Sequence, residues 1–283
     1  MAMIENSAAV ETLHICALLP EVETALSTLQ CAIAAGQGFA AEFCAVHVGF
    51  DLKHSFVSAE ESALQQLRDI YEGGSDARTA RIKAVVDTFL ASQLNAPAVH
   101  WRNDEGAIDA NVALESTKAD LLVIGRPTHM DAADALHSVL FHAHRLVLVA
   151  PRVARAGRAI GKRMAIGWKP GNSAEQAIAA ALPWLRRAER ITVLWAAKAG
   201  AEPYDASAKA FFAGLGLGVD IRRLERKEKS VGLDLLAEAV RQGDDCLVTG
   251  AYRHGALWES IFGGVTHDIL KHANMPAFMM RTR

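Results

Sequence analysis

The sequence predicts an α/β protein built from two doubly wound parallel-sheet units in tandem. Three observations carry that reading. The chain has 283 residues, enough for two cores at roughly 150 residues per domain. Short, continuously apolar runs alternate with helical patterns, as expected where helices cover both faces of a parallel sheet. The second half also repeats the signals of the first in the same order.

The first unit opens with an apolar strand at His14 to Leu19, then a helix whose Val22, Ala25, Leu26, Leu29 and Ile33 keep helical spacing between Pro20 and Gly36. A strand at Phe43 to Val48 follows. Residues 58–94 hold two helical stripes, Leu64, Leu67 and Ile70, then Ile82, Val85, Val86 and Phe89, parted by Gly73-Gly74-Ser75. They are expected as a helical insertion covering one end of the sheet, or as ordinary core packing. Gly106 precedes a helix, Leu121-Leu122-Val123-Ile124 is a strand stopping at Gly125, and a helix through Val139 and Leu140 runs into Leu146-Val147-Leu148-Val149.

The second unit answers each signal. Arg163 to Trp168 parallels the first strand, and Thr192 to Ala197 the second. Ser173 with Gln176 makes a capping-box pattern for a helix with Ile178, Ala181, Leu182 and Leu185 on one face. Gly232 parallels Gly106, Cys246-Leu247-Val248-Thr249-Gly250 ends on the matching glycine, and Ile269-Leu270 leads to Ala277-Phe278-Met279-Met280. The expected division is 1–150, a basic linker at 151–163, and 164–283. The linker carries Arg152, Arg155, Arg158, Lys162 and Arg163 with no acid.

Composition excludes several classes of function. With 51% apolar residues the chain is neither disordered nor collagen-like. Thirty Lys plus Arg against 32 Asp plus Glu leave a net charge of -2, no basic field for nucleic acid. The apolar runs are far short of the roughly 20 residues that span a bilayer. The first residues lack the pattern of a secretory signal, so the expected location is cytoplasmic, with no nucleic-acid or membrane partner. Cys16, Cys31, Cys44 and Cys246 have no C-x-x-C spacing and read as buried free thiols.

Chemistry is expected beyond the carboxyl ends of the strands, where amides at helix starts hold phosphate. In the second half the stretch from Gly250 to Gly263-Gly264-Val265-Thr266 ends in two glycines directly before a helix. Backbone can approach an anion closely there, and Thr266 adds a hydroxyl. In the first half the loop is five residues shorter, has no glycine pair and contains Pro127, which has no N–H to offer. Gly157 to Arg163 resembles a phosphate loop but is one residue short and precedes a strand. His137, His142 and His144 lack a metal-binding pattern and read as helix-end histidines. No metal site, catalytic motif or serine-nucleophile elbow is found, so an enzyme is not expected.

This constellation resembles the universal stress protein family, whose nucleotide-binding members carry Gly, two residues, Gly, nine residues, Gly and Ser or Thr at this junction. Gly250 and Gly263 match the first and third glycines; Arg253 stands for the second, and Gly264 for the Ser or Thr. The resemblance spans both halves and implies a tandem member with the adenine nucleotide alpha hydrolase-like fold and a stress-response regulatory role. It implies that ATP or another adenine nucleotide, if bound, sits in the second half against Gly263 to Thr266. Arg253 either obstructs that site or pairs with a phosphate. Trp168 and Lys169 follow the first strand of that half, Lys169 in place of the family's acid, and Ala196 would line the adenine pocket. The alternatives are a ligand-free interaction scaffold and slow ATP hydrolysis near His254 and Glu259. The family also pairs subunits through the final strand, which implies association through Leu146 to Val149 and Ala277 to Met280.

Overall fold

The computed structural model describes residues 12–50, 59–153, 160–169, 172–196, 205–224, 230–251 and 264–281. Ten strands form one sheet. The first five are β1 (Leu13–Leu18), β2 (Ala41–Phe50), β3 (Val99–Gly106), β4 (Leu121–Gly125) and β5 (Leu146–Ala150). The second five are β6 (Arg163–Trp168), β7 (Arg190–Trp195), β8 (Asp220–Arg223), β9 (Cys246–Gly250) and β10 (Ala277–Met280). Their spatial order is β3-β2-β1-β4-β5-β10-β9-β6-β7-β8. Each half thus runs 3-2-1-4-5, all parallel, and the halves meet where β5 and β10 pair antiparallel, Phe278 opposite Leu148.

Helices cover both faces. On one lie α1 (Val22–Gly36), α3 (Ser75–Ala91), α6 (Asn172–Ala180), α7 (Leu182–Leu185) and α8 (Asp205–Gly214), which pack with Ile15, Ala17, Leu121, Met164, Ile166 and Val248. On the other lie α4 (Ile108–Lys118), α5 (Met130–His142), α9 (Val231–Gln242) and α10 (Val265–His272), which pack with Cys16, Leu18, Leu122, Ala165 and Leu247. Successive strand residues therefore feed opposite cores, which is why the strands read as unbroken apolar runs.

Several sequence expectations change in detail. Leu26 is 44% exposed because it falls at the margin of the α1 face, whereas Ala25 and Leu29 are buried. The insertion divides unequally. The helix α3 buries Ile82, Val86 and Phe89, and it occupies the β2-to-β3 connection as α8 occupies that from β7 to β8. The helix α2 (Ala59–Glu72) is the addition, and its Leu67 and Ile70 are exposed rather than core. Ser173 lies within α6 rather than before it, and Gly232 lies in the first turn of α9. There a Cβ on Gly232 would stand 2.6 Å from Asp268 Cβ and 2.9 Å from the Val265 carbonyl oxygen, so glycine lets α9 and α10 approach.

Trp184 ties the two halves. Its Nε1 donates to the Ala35 carbonyl at the end of α1, 2.8 Å away, and its ring meets Phe39 and Phe278. Arg126, directly after β4, reaches toward the Leu270 carbonyl at 3.4 Å. Among the described residues no helix is long and apolar enough to cross a membrane.

Candidate functional site

In each half the chain leaves the two central strands toward opposite faces: from β1 to α1 and from β4 to α5, then from β6 to α6 and from β9 to α10. Such a switch of direction opens a crevice at the carboxyl ends of the strands, the usual place for a ligand in this architecture. The two crevices are furnished differently.

In the first half a carboxylate fills it. Glu21 follows β1 and is buried, and its oxygens accept hydrogen bonds from the backbone N–H groups of Thr128 and His129 at 3.0–3.1 Å. The hydroxyls of Thr128 and Thr24 donate to the same carboxylate at 3.0 Å each. These amides belong to the turn that opens α5, where exposed donors and the helix dipole favour negative charge. The carboxylate thus takes up the donors that such a helix start offers to an anion. Glu23 and His129 close the outside, His129 Nε2 lying 3.3 Å from Glu23 Oε1. Glu21, Glu23 and His129 stand within metal-binding reach of one another, but the Glu21 oxygens are committed to amide and hydroxyl donors.

A second side chain occupies the neighbouring position. His47, near the end of β2, is buried and its Nδ1 donates to the Leu19 carbonyl at 2.7 Å.

The second half offers no acid in the place of Glu21. His14 pairs with Asp120 as Arg163 pairs with Asp245, each amide meeting the aspartate carboxylate at 2.9 Å, which fixes the correspondence of β1 with β6. Glu21 then corresponds to Pro170, and no acid occurs from Lys169 through Ala174. In the neighbouring strands Val46 pairs with Leu18 and Leu194 with Gly167, so His47 corresponds to Trp195.

Of the residues singled out in the sequence, Trp168, Ala196 and Gly250 gather at the ends of three adjacent strands, β6, β7 and β9. Trp168 pairs with Trp195 in the register and is buried, its ring 5.0 Å from Phe211 and 5.3 Å from Phe212. It is a wall of the core, and its Nε1 is buried without a hydrogen-bond partner among the described residues. Lys169 is exposed, and Ala196 and Gly250 are half-buried. Gly264 caps α10 at φ +121°, a backbone region that glycine alone enters freely, and it is exposed. Val265 is half-buried and Thr266 buried in the first turn of α10. Arg253 and Gly263, with His254 and Glu259, lie outside the described residues.

The first turn of α10 is braced from α9. The Ser230 hydroxyl donates to Asp268 Oδ2 and also accepts the Leu233 amide as the cap of α9. Neither Glu21 nor His47 belongs to a motif that marks it in the sequence. The available signal is an acid directly after Pro20, combined with a loop short enough to bring the α5 amides back to it.

The sequence matches no protein-family model and no curated protein. Solved structures do match. A universal stress protein from Archaeoglobus fulgidus DSM 4304 superposes with a TM-score of 0.61 at 10% identity, over 95% of this chain and 96% of that one. A functionally unknown protein from Pseudomonas aeruginosa PAO1 superposes with a TM-score of 0.54 at 12% identity, over 95% and 92%. The class defined is a doubly wound α/β protein with one crevice in each half. The chain has the fold of the universal stress proteins.

Proposed function

We propose that this chain is a tandem universal stress protein, with units 1–150 and 164–283 joined by 151–163. It binds an adenine nucleotide in the second unit and acts as a regulatory module rather than an enzyme. One observation supports this most: the first crevice holds the Glu21 carboxylate against the α5 amides, and the sequence of the second unit has Pro170 in its place. A carboxylate held by α5 amides is the kind of group such a helix start attracts, and the sequence from Lys169 through Ala174 supplies no acid of that kind in the second unit.

In this reading the phosphates meet the amides from Gly263 to Thr266, with Lys169 and Arg253 supplying positive charge and Gly250 the close approach. Ala196, directly after β7, lines the base in this reading. The first unit is a structural partner whose crevice is permanently furnished.

The test is mass spectrometry of ligands released from freshly purified protein, combined with thermal shift in ATP, ADP and AMP. An adenine nucleotide is expected to co-purify or to raise the melting temperature, and Lys169→Ala to weaken that effect. Absence of both signals overturns the proposal.

A further inference from the structure

The nucleotide reading leaves one cluster of reactive groups unused. Cys16 on β1 and Cys44 on β2 are direct partners in the parallel register, so both thiols project to the same face of the sheet. Their sulfurs and a carboxylate oxygen of Glu115 on α4 all lie within 4.8 Å of one another, and Cys16 Sγ stands 3.7 Å from Glu115 Oε2. Adjacent strands run about 4.8 Å apart, inside the Cα separation that a disulfide spans. Glu115 is buried and holds two cations, Arg102 from the outer strand β3 and Lys118 at 3.0 Å. Cys44 is half-buried and Cys16 fully buried, so the pair has one approachable sulfur and one shielded sulfur.

We propose that Cys44 and Cys16 are a peroxide-reactive pair that closes to a reversible disulfide between β1 and β2. The Cys44 thiolate attacks a hydroperoxide oxygen and becomes a sulfenic acid, while the peroxide is reduced to alcohol, or to water when hydrogen peroxide is the oxidant. The Cys16 sulfur then attacks the Cys44 sulfur and expels hydroxide, which leaves as water with the Cys16 proton. Two thiols are oxidised and one peroxide is reduced. Glu115 is placed to accept the Cys16 proton on its way out. Charge assists the first step: the Cys16 thiol, by its hydrogen bond, lowers the Cys44 pKa, with Arg102 and Lys118 adding to it against burial and Glu115. The same hydrogen bond together with burial keeps Cys16 protonated. Cys31 and Cys246 are buried thiols raised by burial, and they serve as internal controls.

The experiment exposes the folded full chain to hydrogen peroxide, blocks remaining thiols under denaturing conditions and maps the peptides by mass spectrometry. The expected product links Cys16 to Cys44, leaves Cys31 and Cys246 reduced, and returns to four free thiols with a dithiol reductant. In Cys16→Ser the reaction should stop at a Cys44 sulfenic acid trapped by dimedone, and in Cys44→Ser no intramolecular link should form. The proposal is overturned if Cys16 and Cys44 stay fully alkylatable at peroxide doses that oxidise a free cysteine peptide. It is equally overturned if the link joins Cys31 or Cys246 instead. Neither result depends on nucleotide.

Discussion

Glu21→Ala removes the carboxylate that occupies the first crevice. The wild-type side chain satisfies two backbone amides and two hydroxyls at 3.0–3.1 Å. Leaving a buried donor without an acceptor costs about 1–3 kcal/mol, and losing a negative charge at a helix start costs roughly 0.3–2 kcal/mol more. Water entering the space offsets part of this, giving an expected net loss of about 3 kcal/mol. Glu21→Gln keeps one acceptor oxygen and should lose about half as much. Urea denaturation followed by circular dichroism reads both: the midpoint falls at constant slope, further for alanine than for glutamine. Inorganic phosphate should stabilise Glu21→Ala more than the wild type, because the freed amides take up a further anion. An alanine variant as stable as its parent, or phosphate acting equally on both, refutes the assignment.

Three further outcomes follow from the packing. Trp184→Phe should cost about 1–2 kcal/mol by leaving the Ala35 carbonyl unpaired, and Trp184→Ala about 3–5 kcal/mol, read as lowered urea midpoints. Gly232→Ala should cost about 1–3 kcal/mol in the same measurement, since its Cβ would overlap Asp268 and the Val265 carbonyl, and it should also weaken any nucleotide-dependent thermal shift. Burial pushes the Cys31 thiol up to about 12. The unfolded chain therefore loses this proton at lower pH than the folded one, so stability falls as pH rises from the ordinary thiol range toward 12. By about pH 11 the loss from this group is about 2–3 kcal/mol, and Cys31→Ala should show a correspondingly shallower alkaline decline in denaturation midpoint.

The doubled α/β plan was legible because its signals are local: apolar runs ending at Gly125 and Gly250, and helical spacing stopped at Gly36. The side of a helix that meets the core was less so. Leu67 and Ile70 keep the same spacing as Ile82, Val86 and Phe89, yet only the latter group is covered, because α3 and not α2 takes the place against α1 and β2. The candidate site was legible as a location, since the end of a strand and the start of a helix can be read from one segment. Its contents were not. Glu21 meets donors more than a hundred positions away, and nothing in its neighbours distinguishes a buried anion from an ordinary surface acid before a helix. His47 is similarly hidden, an imidazole at the end of an apolar strand whose acceptor is the Leu19 carbonyl.

The antiparallel seam between β5 and β10 has a consequence for assembly. Each of these strands has a neighbour on both sides, β4 and β10 for one, β5 and β9 for the other, so their hydrogen-bonding margins are consumed inside a single molecule. A chain of half this length would expose that margin and recruit a twin through it. Among the described residues the outer borders of the sheet are β3 and β8, where Arg102, Asp220, Arg222 and Arg223 set charged groups along the rim and discourage a stranger from docking.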